Sequence, residues 1–215
     1  MWRSAKGAAT RYLSPGAGGE VSAREVVSRY LAALEETPGQ GEALAAFRVT
    51  RKVAQDLGAF AQEVAARGWE AALAGRGLAP LARGPQELLA PGVSGVLAGS
   101  GGGLEEAVVR TALALVVRGA VQSQARPDPA QVVRTFLVTA VHLRLALDLG
   151  EPLEAAAGSY ARLRDGLDRI KALIEADSAP LTAVSEIPET AGHWQGLAGW
   201  TWITELMAGL LASLR

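Results

Sequence analysis

Seven side chains, Leu153, Ala156, Tyr160, Leu163, Leu167, Ile170 and Ile174, recur at steps of three and four without a slip. Only an α-helix gathers such positions onto one face, so the stretch opened by Pro152 reads as one amphipathic helix with a heptad seam. Beside the seam, Arg164/Asp168, Asp165/Arg169 and Lys171/Glu175 stand four apart, the spacing of ion pairs on a solvated face. The seam is assigned to packing inside a bundle, with an intermolecular coiled coil as the alternative.

The same period runs through most of the chain. Ser22 caps a helix over about 23–36, Glu25 offers the return bond of a capping box, Val21 staples to Val26, and the glycines of Thr37–Gly41 stop the helix. A second helix follows over about 42–67, another over 104–122, and a largely apolar one over 130–149, with Asp128 as its cap and Pro129 at its first position. A last helix covers about 193–214. No stretch alternates with the period of a strand. The fold class is therefore all-α, a bundle of about five or six long helices. Glycine and proline crowd residues 75–103, which read as an irregular crossover with room only for helices of one or two turns, such as Gln86 to Ala90.

Residues 1–19 carry Arg3, Lys6 and Arg11 without an acid and are taken as a flexible arm. Residues 20–215 form a single helical domain, the alternative being a hairpin over 20–74 and a bundle over 104–215.

Composition removes several chemistries. There is no cysteine, so disulfides, thiolate metal sites and cysteine nucleophiles are excluded, in keeping with a cytoplasmic location. The two histidines have no carboxylate or second histidine at a helical metal-ligand spacing, so neither a metal nor any other cofactor is expected. No Gly-x-Ser-x-Gly elbow occurs, and an enzyme built on Arg110, Arg118 and scattered carboxylates is the least favoured reading. With a net charge of -1, nucleic acid is not expected as a partner except through a local patch at Arg48, Arg51 and Lys52. The glycine cluster 99–103 lacks the lysine of a phosphate loop, and Glu105 and Glu106 occupy the helix start that a phosphate would need.

Two features remain for function. Residues 191–214 contain three of the five tryptophans, Trp194, Trp200 and Trp202, and one formal charge, Glu205. That central acid would cost about 2.5–3.5 kcal/mol in a bilayer, so the segment reads as a partner surface of Trp194, Trp200, Trp202, Leu206 and Leu210, with membrane contact as the lesser option. Glu106, Arg110, Arg118 and Gln122 draw a polar stripe down an otherwise apolar helix, reaching solvent or lining an internal site. Excess apolar surface without catalytic groups points to a non-enzymatic subunit that self-associates or docks into a larger assembly. The alternative is a binder of a small apolar ligand in a bundle cavity, with Thr135, Thr139 and His142 as its polar contacts.

Overall fold

In a computed structural model, which describes residues 2–14, 21–37, 42–99, 101–123 and 125–215, side-chain caps mark the start of several helices. The helices in chain order are α1 (Trp2–Leu13), α2 (Ala23–Glu35), α3 (Arg48–Gly75), α4 (Ala79–Ala82), α5 (Gln86–Ala98), α6 (Leu104–Gln122), α7 (Pro129–Asp148), α8 (Gly150–Ala157), α9 (Tyr160–Ser178), α10 (Ala191–Gln195) and α11 (Leu197–Ser213). A 3-10 turn, Ala43–Phe47, leads directly into α3, and no strand occurs among the described residues, so the chain is all-α. Ser22 accepts from the Glu25 amide at 3.1 Å, and Asp128 from the Ala130 amide at 3.0 Å, as the sequence predicts. Most of the glycine-rich stop after Thr37, like Ser100 in the second glycine cluster, lies outside the described residues.

Four expectations need correction. Residues 2–13, read as a flexible arm, form α1, because Ala5, Ala8, Ala9 and Leu13 share one face and are buried. Alanines carry little apolar signal, yet they let two helix backbones approach closely. The crossover at 75–103 contains a helix of more than three turns, α5, whose buried Leu89, Ala90, Val93 and Leu97 repeat at three and four despite Pro91 inside it. Its buried Ser94 hydroxyl donates to the Ala90 carbonyl at 2.6 Å.

The seam helix over 153–174 is two helices, α8 and α9. Gly158 ends the first with φ 65°, and Ser159 caps the second by accepting from the Arg162 amide at 3.3 Å. A left-handed glycine followed by a capping serine outweighs an unbroken apolar register. The helix expected to end at Arg67 runs on to Gly75 through a kink at Gly68, whose φ of 83° and ψ of 166° belong almost exclusively to glycine.

Two compact units assemble from interleaved segments, so neither follows the 20–74/104–215 boundary. The first comprises Met1–Arg48, Val141–Thr182 and Ala208–Arg215. In it α1 packs on α2 and α8, and α2 on α9, around Val27, Tyr30, Leu31, Leu145, Leu153 and Ile170. The Tyr12 hydroxyl donates to the Gly166 carbonyl at 3.1 Å, and the Arg169 guanidinium lies 5.4 Å from the Tyr12 ring centre. Gly166 leaves room for this packing, since a Cβ would fall 3.3 Å from Tyr12 and against the tip of Leu13.

The second unit comprises Val49–Ala140 and Ala183–Met207. Its α5 and α6 pack against each other, and its core includes Leu57, Phe60, Val93, Val109, Leu113, Val133 and Phe136. Glu105, in the first turn of α6, accepts from the Thr50 amide at 2.8 Å and the Thr50 hydroxyl at 3.0 Å. One carboxylate thus serves the positive ends of both α3 and α6, which fixes where α6 begins.

Candidate functional site

The tryptophan-rich end of the chain is mostly interior. Trp194, Trp202, Leu206 and Leu210 are all buried, with Trp194 at 0% exposure, so four of the five residues expected to meet a partner are consumed within the chain. The reason is local. Trp194 stands edge-on to Trp202, ring centres 5.3 Å apart, and lies over Gly58 of α3, where the missing side chain leaves room for the indole. Gln55 completes the lock by donating to the Trp194 carbonyl at 3.2 Å and the Gly196 carbonyl at 3.0 Å. Trp200 alone of the three stays partly exposed, with the Arg51 guanidinium 4.7 Å from its ring centre. Glu205 accepts from both the amide and the hydroxyl of Ser185 at 2.8 Å, and these bonds hold its pKa below the usual glutamate value. The single charge of this helix therefore tethers the preceding segment.

The polar stripe on α6 reaches solvent and divides in two. Arg110 donates to the carbonyls of Gly99 at 3.3 Å and Gly101 at 3.2 Å, while Glu106 turns back over Gly101 and Gly103. Glu106 and Arg110, one turn apart on the stripe, are thus both turned to the glycine loop. Arg118 and Gln122 face a cleft of about 250 Å³ shared with Gln86 and Glu87 of α5.

Thr135 and Thr139 donate to carbonyls one turn earlier, Gln131 at 2.9 Å and Thr135 at 2.7 Å, so their own helix satisfies both hydroxyls. His142 is different. Its Nε2 is buried without a partner, and burial lowers its pKa below the ordinary histidine value; the Leu167 carbonyl opposes that shift, Lys171 adds to it, and Asp168 and Glu175 oppose it. With the folded pKa depressed, the unfolded chain takes up the proton first as pH falls. The stability linked to His142 is therefore complete above the ordinary histidine pKa and lost as pH drops through that range. Urea unfolding between about pH 7.5 and 5.5 is expected to show this loss, and His142→Gln to flatten the slope. An unchanged slope in the variant would rule His142 out as its source.

The three cations of the basic patch differ in their surroundings. Arg51 donates to Thr204 Oγ1 at 3.2 Å besides covering Trp200, and Lys52 lies 3.9 Å from Asp56, which leaves Arg48 exposed at the helix start. Among the described residues no group of three His, Asp or Glu side chains is placed to hold a metal. Among the described residues the helix long and apolar enough to cross a membrane is α7, not the C-terminal one, and 44% of its apolar window is buried.

A site the sequence reading missed lies at the Gly68 kink. Val64, Arg67 and Trp69 of α3 and Val121, Arg126 and Pro127 at and after the end of α6 line a groove of about 470 Å³. Trp69 also packs edge-on against Phe60, ring centres 5.8 Å apart. Its signal in the sequence is the glycine of "ARGWE" inside a helical period, which marks a break but not what the break faces.

A family model described as "Qat anti-phage system associated protein QatB" matches residues 39–179, about two thirds of the chain. No curated protein and no solved structure matches it. The match takes in the 3-10 turn and α3 to α9, with the Gly68 groove among them, and leaves α1, α2, α10 and α11 outside. The chain belongs to the QatB family, whose model is described as a Qat anti-phage system associated protein.

Proposed function

We propose that this chain serves the Qat anti-phage system as a helical assembly subunit, acting through contact with other proteins and not through catalysis. The family match over residues 39–179 carries the reading. We assign the docking edge to the start of the C-terminal helix, where Leu197 is 79% exposed and Trp200 is partly exposed, together with Val184 at 96% on the segment that leads into it. Of these the indole is the kind of side chain that most often anchors a protein interface, and the two aliphatic groups add apolar area around it. Trp194, Trp202 and Leu206 then support the edge from inside, and they and Leu210, all buried, do not themselves touch a partner.

Two measurements test this. Size-exclusion chromatography with light scattering reads self-association, and co-purification with the other proteins of the Qat system reads docking. Leu197→Glu combined with Trp200→Ser is expected to abolish the complex while leaving the circular dichroism spectrum and melting temperature in place. A parent protein that is monomeric and retains no Qat partner would overturn the assembly reading. A complex that survives the double variant would overturn the assigned edge.

A further inference from the structure

The groove at the Gly68 kink combines three properties not found together in any other cleft described above. The first is uncompensated positive charge. Among the described residues neither Arg67 nor Arg126 takes part in an ion pair, and the carboxylates nearest them in sequence are already engaged. Glu63 lies 3.7 Å from Arg76, Glu70 lies 3.2 Å from Arg83, and Asp128 caps the amide of Ala130. The second is an aromatic wall. Trp69 packs edge-on against Phe60, which braces its ring at the groove. The third is size, since about 470 Å³ falls within the range of small-molecule sites.

We propose that this groove binds a mononucleotide, with its base against Trp69 and its phosphate between Arg67 and Arg126. A monoester phosphate carries a charge of about -1.5 to -2 at neutral pH and three acceptor oxygens, which suits two guanidinium forks where a carboxylate would occupy only one. An indole wall accepts any base by stacking. The chain has a net charge of -1, and Arg51 and Lys52 on the same helix are turned to Trp200 and Asp56, so the field that would hold a longer strand is weak. Gly68 makes the arrangement possible, because its φ of 83° redirects the helix between Arg67 and Trp69. The inference does not rest on the assembly reading.

Isothermal titration of the full chain with AMP, inorganic phosphate and a short oligodeoxyadenylate tests it. AMP is expected to bind at one site, and inorganic phosphate at least about tenfold more weakly for want of the stacked base. Arg67→Gln and Arg126→Gln should each weaken AMP by about tenfold, a typical loss for one charge-assisted contact. Both side chains are exposed, so the melting temperature should stay in place, and Arg164→Gln, which removes an exposed guanidinium of α9 paired with Asp168, should leave AMP binding unchanged. The proposal is overturned if AMP does not bind, or if the two arginine variants bind it as the parent does. Inorganic phosphate binding as tightly as AMP would remove the stacked base, and an oligodeoxyadenylate that outcompetes AMP would make the site one for single strands.

Discussion

Gly58→Val is expected to destabilise the folded chain by about 3 kcal/mol, lowering the melting temperature by roughly 6–12 °C. A Cβ at position 58 would stand 2.6 Å from Trp194 Cδ2 and 2.8 Å from Cζ3, distances that real side chains do not tolerate. The indole has nowhere to go. Trp202 stands against its edge, the Gly199 backbone lies close enough that a Cβ there would sit 2.7 Å from Trp194 Cα, and Gln55 holds its carbonyl. Displacing Trp194 therefore also breaks buried hydrogen bonds, each of which would leave a polar group unsatisfied. Gly119→Ala is the control, because a Cβ there meets nothing within 4 Å and the residue lies inside α6. That change should raise stability by about 0.5 kcal/mol through lost backbone freedom in the unfolded chain. Thermal melts of both variants check the contrast; a Gly58→Val protein as stable as the parent would mean that Trp194 is not seated on α3.

That contact also shows where the sequence stops being legible. The period of three and four identifies α6 and α7 almost to the residue, because each buries a broad apolar face, and α7 also begins at a cap and a proline that act locally. Ser22, Asp128 and the i,i+4 pairs of α9 are local too, and the structure forms them as the spacing predicts. The tryptophans are another matter. An indole bound for the interior and one bound for a partner have the same chemistry, and only Gly58, far away in the chain, distinguishes the two for Trp194. The arm that became α1 was hidden because its buried face is largely alanine. The apolar register through residues 153–174 concealed a break that Gly158 and Ser159 spell out in two letters. The Gly68 groove joins residues 64–69 to residues 121–127, and no local pattern in either stretch announces the other.

Asp148→Ala is expected to cost about 3 kcal/mol, against about 1 kcal/mol for Tyr30→Phe, although both remove the same hydrogen bond. Tyr30 is fully buried, with Trp2 edge-on to its ring at 5.9 Å, and its hydroxyl donates to Asp148 Oδ2 at 2.8 Å. Burial first, and then Asp148, pushes the Tyr30 pKa well above the ordinary tyrosine value, so the phenol remains a donor at any pH the fold experiences. Arg144, one turn earlier on α7, donates through Nε to the same Oδ2 at 2.8 Å, and both charged side chains are nearly buried, at 14% and 11% exposure. Replacing the tyrosine removes one donor and leaves the ion pair standing. Replacing the aspartate removes the acceptor of both, so a buried hydroxyl loses its partner and a largely buried guanidinium loses the carboxylate 2.8 Å from it. Urea unfolding of the two single variants and the double variant reads the difference. In the double variant the costs should fall short of additive by about 1 kcal/mol, since the phenol's bond can be lost only once. Equal costs for the two single changes would mean that water screens the Arg144–Asp148 pair so effectively that it contributes little, as exposed ion pairs generally do.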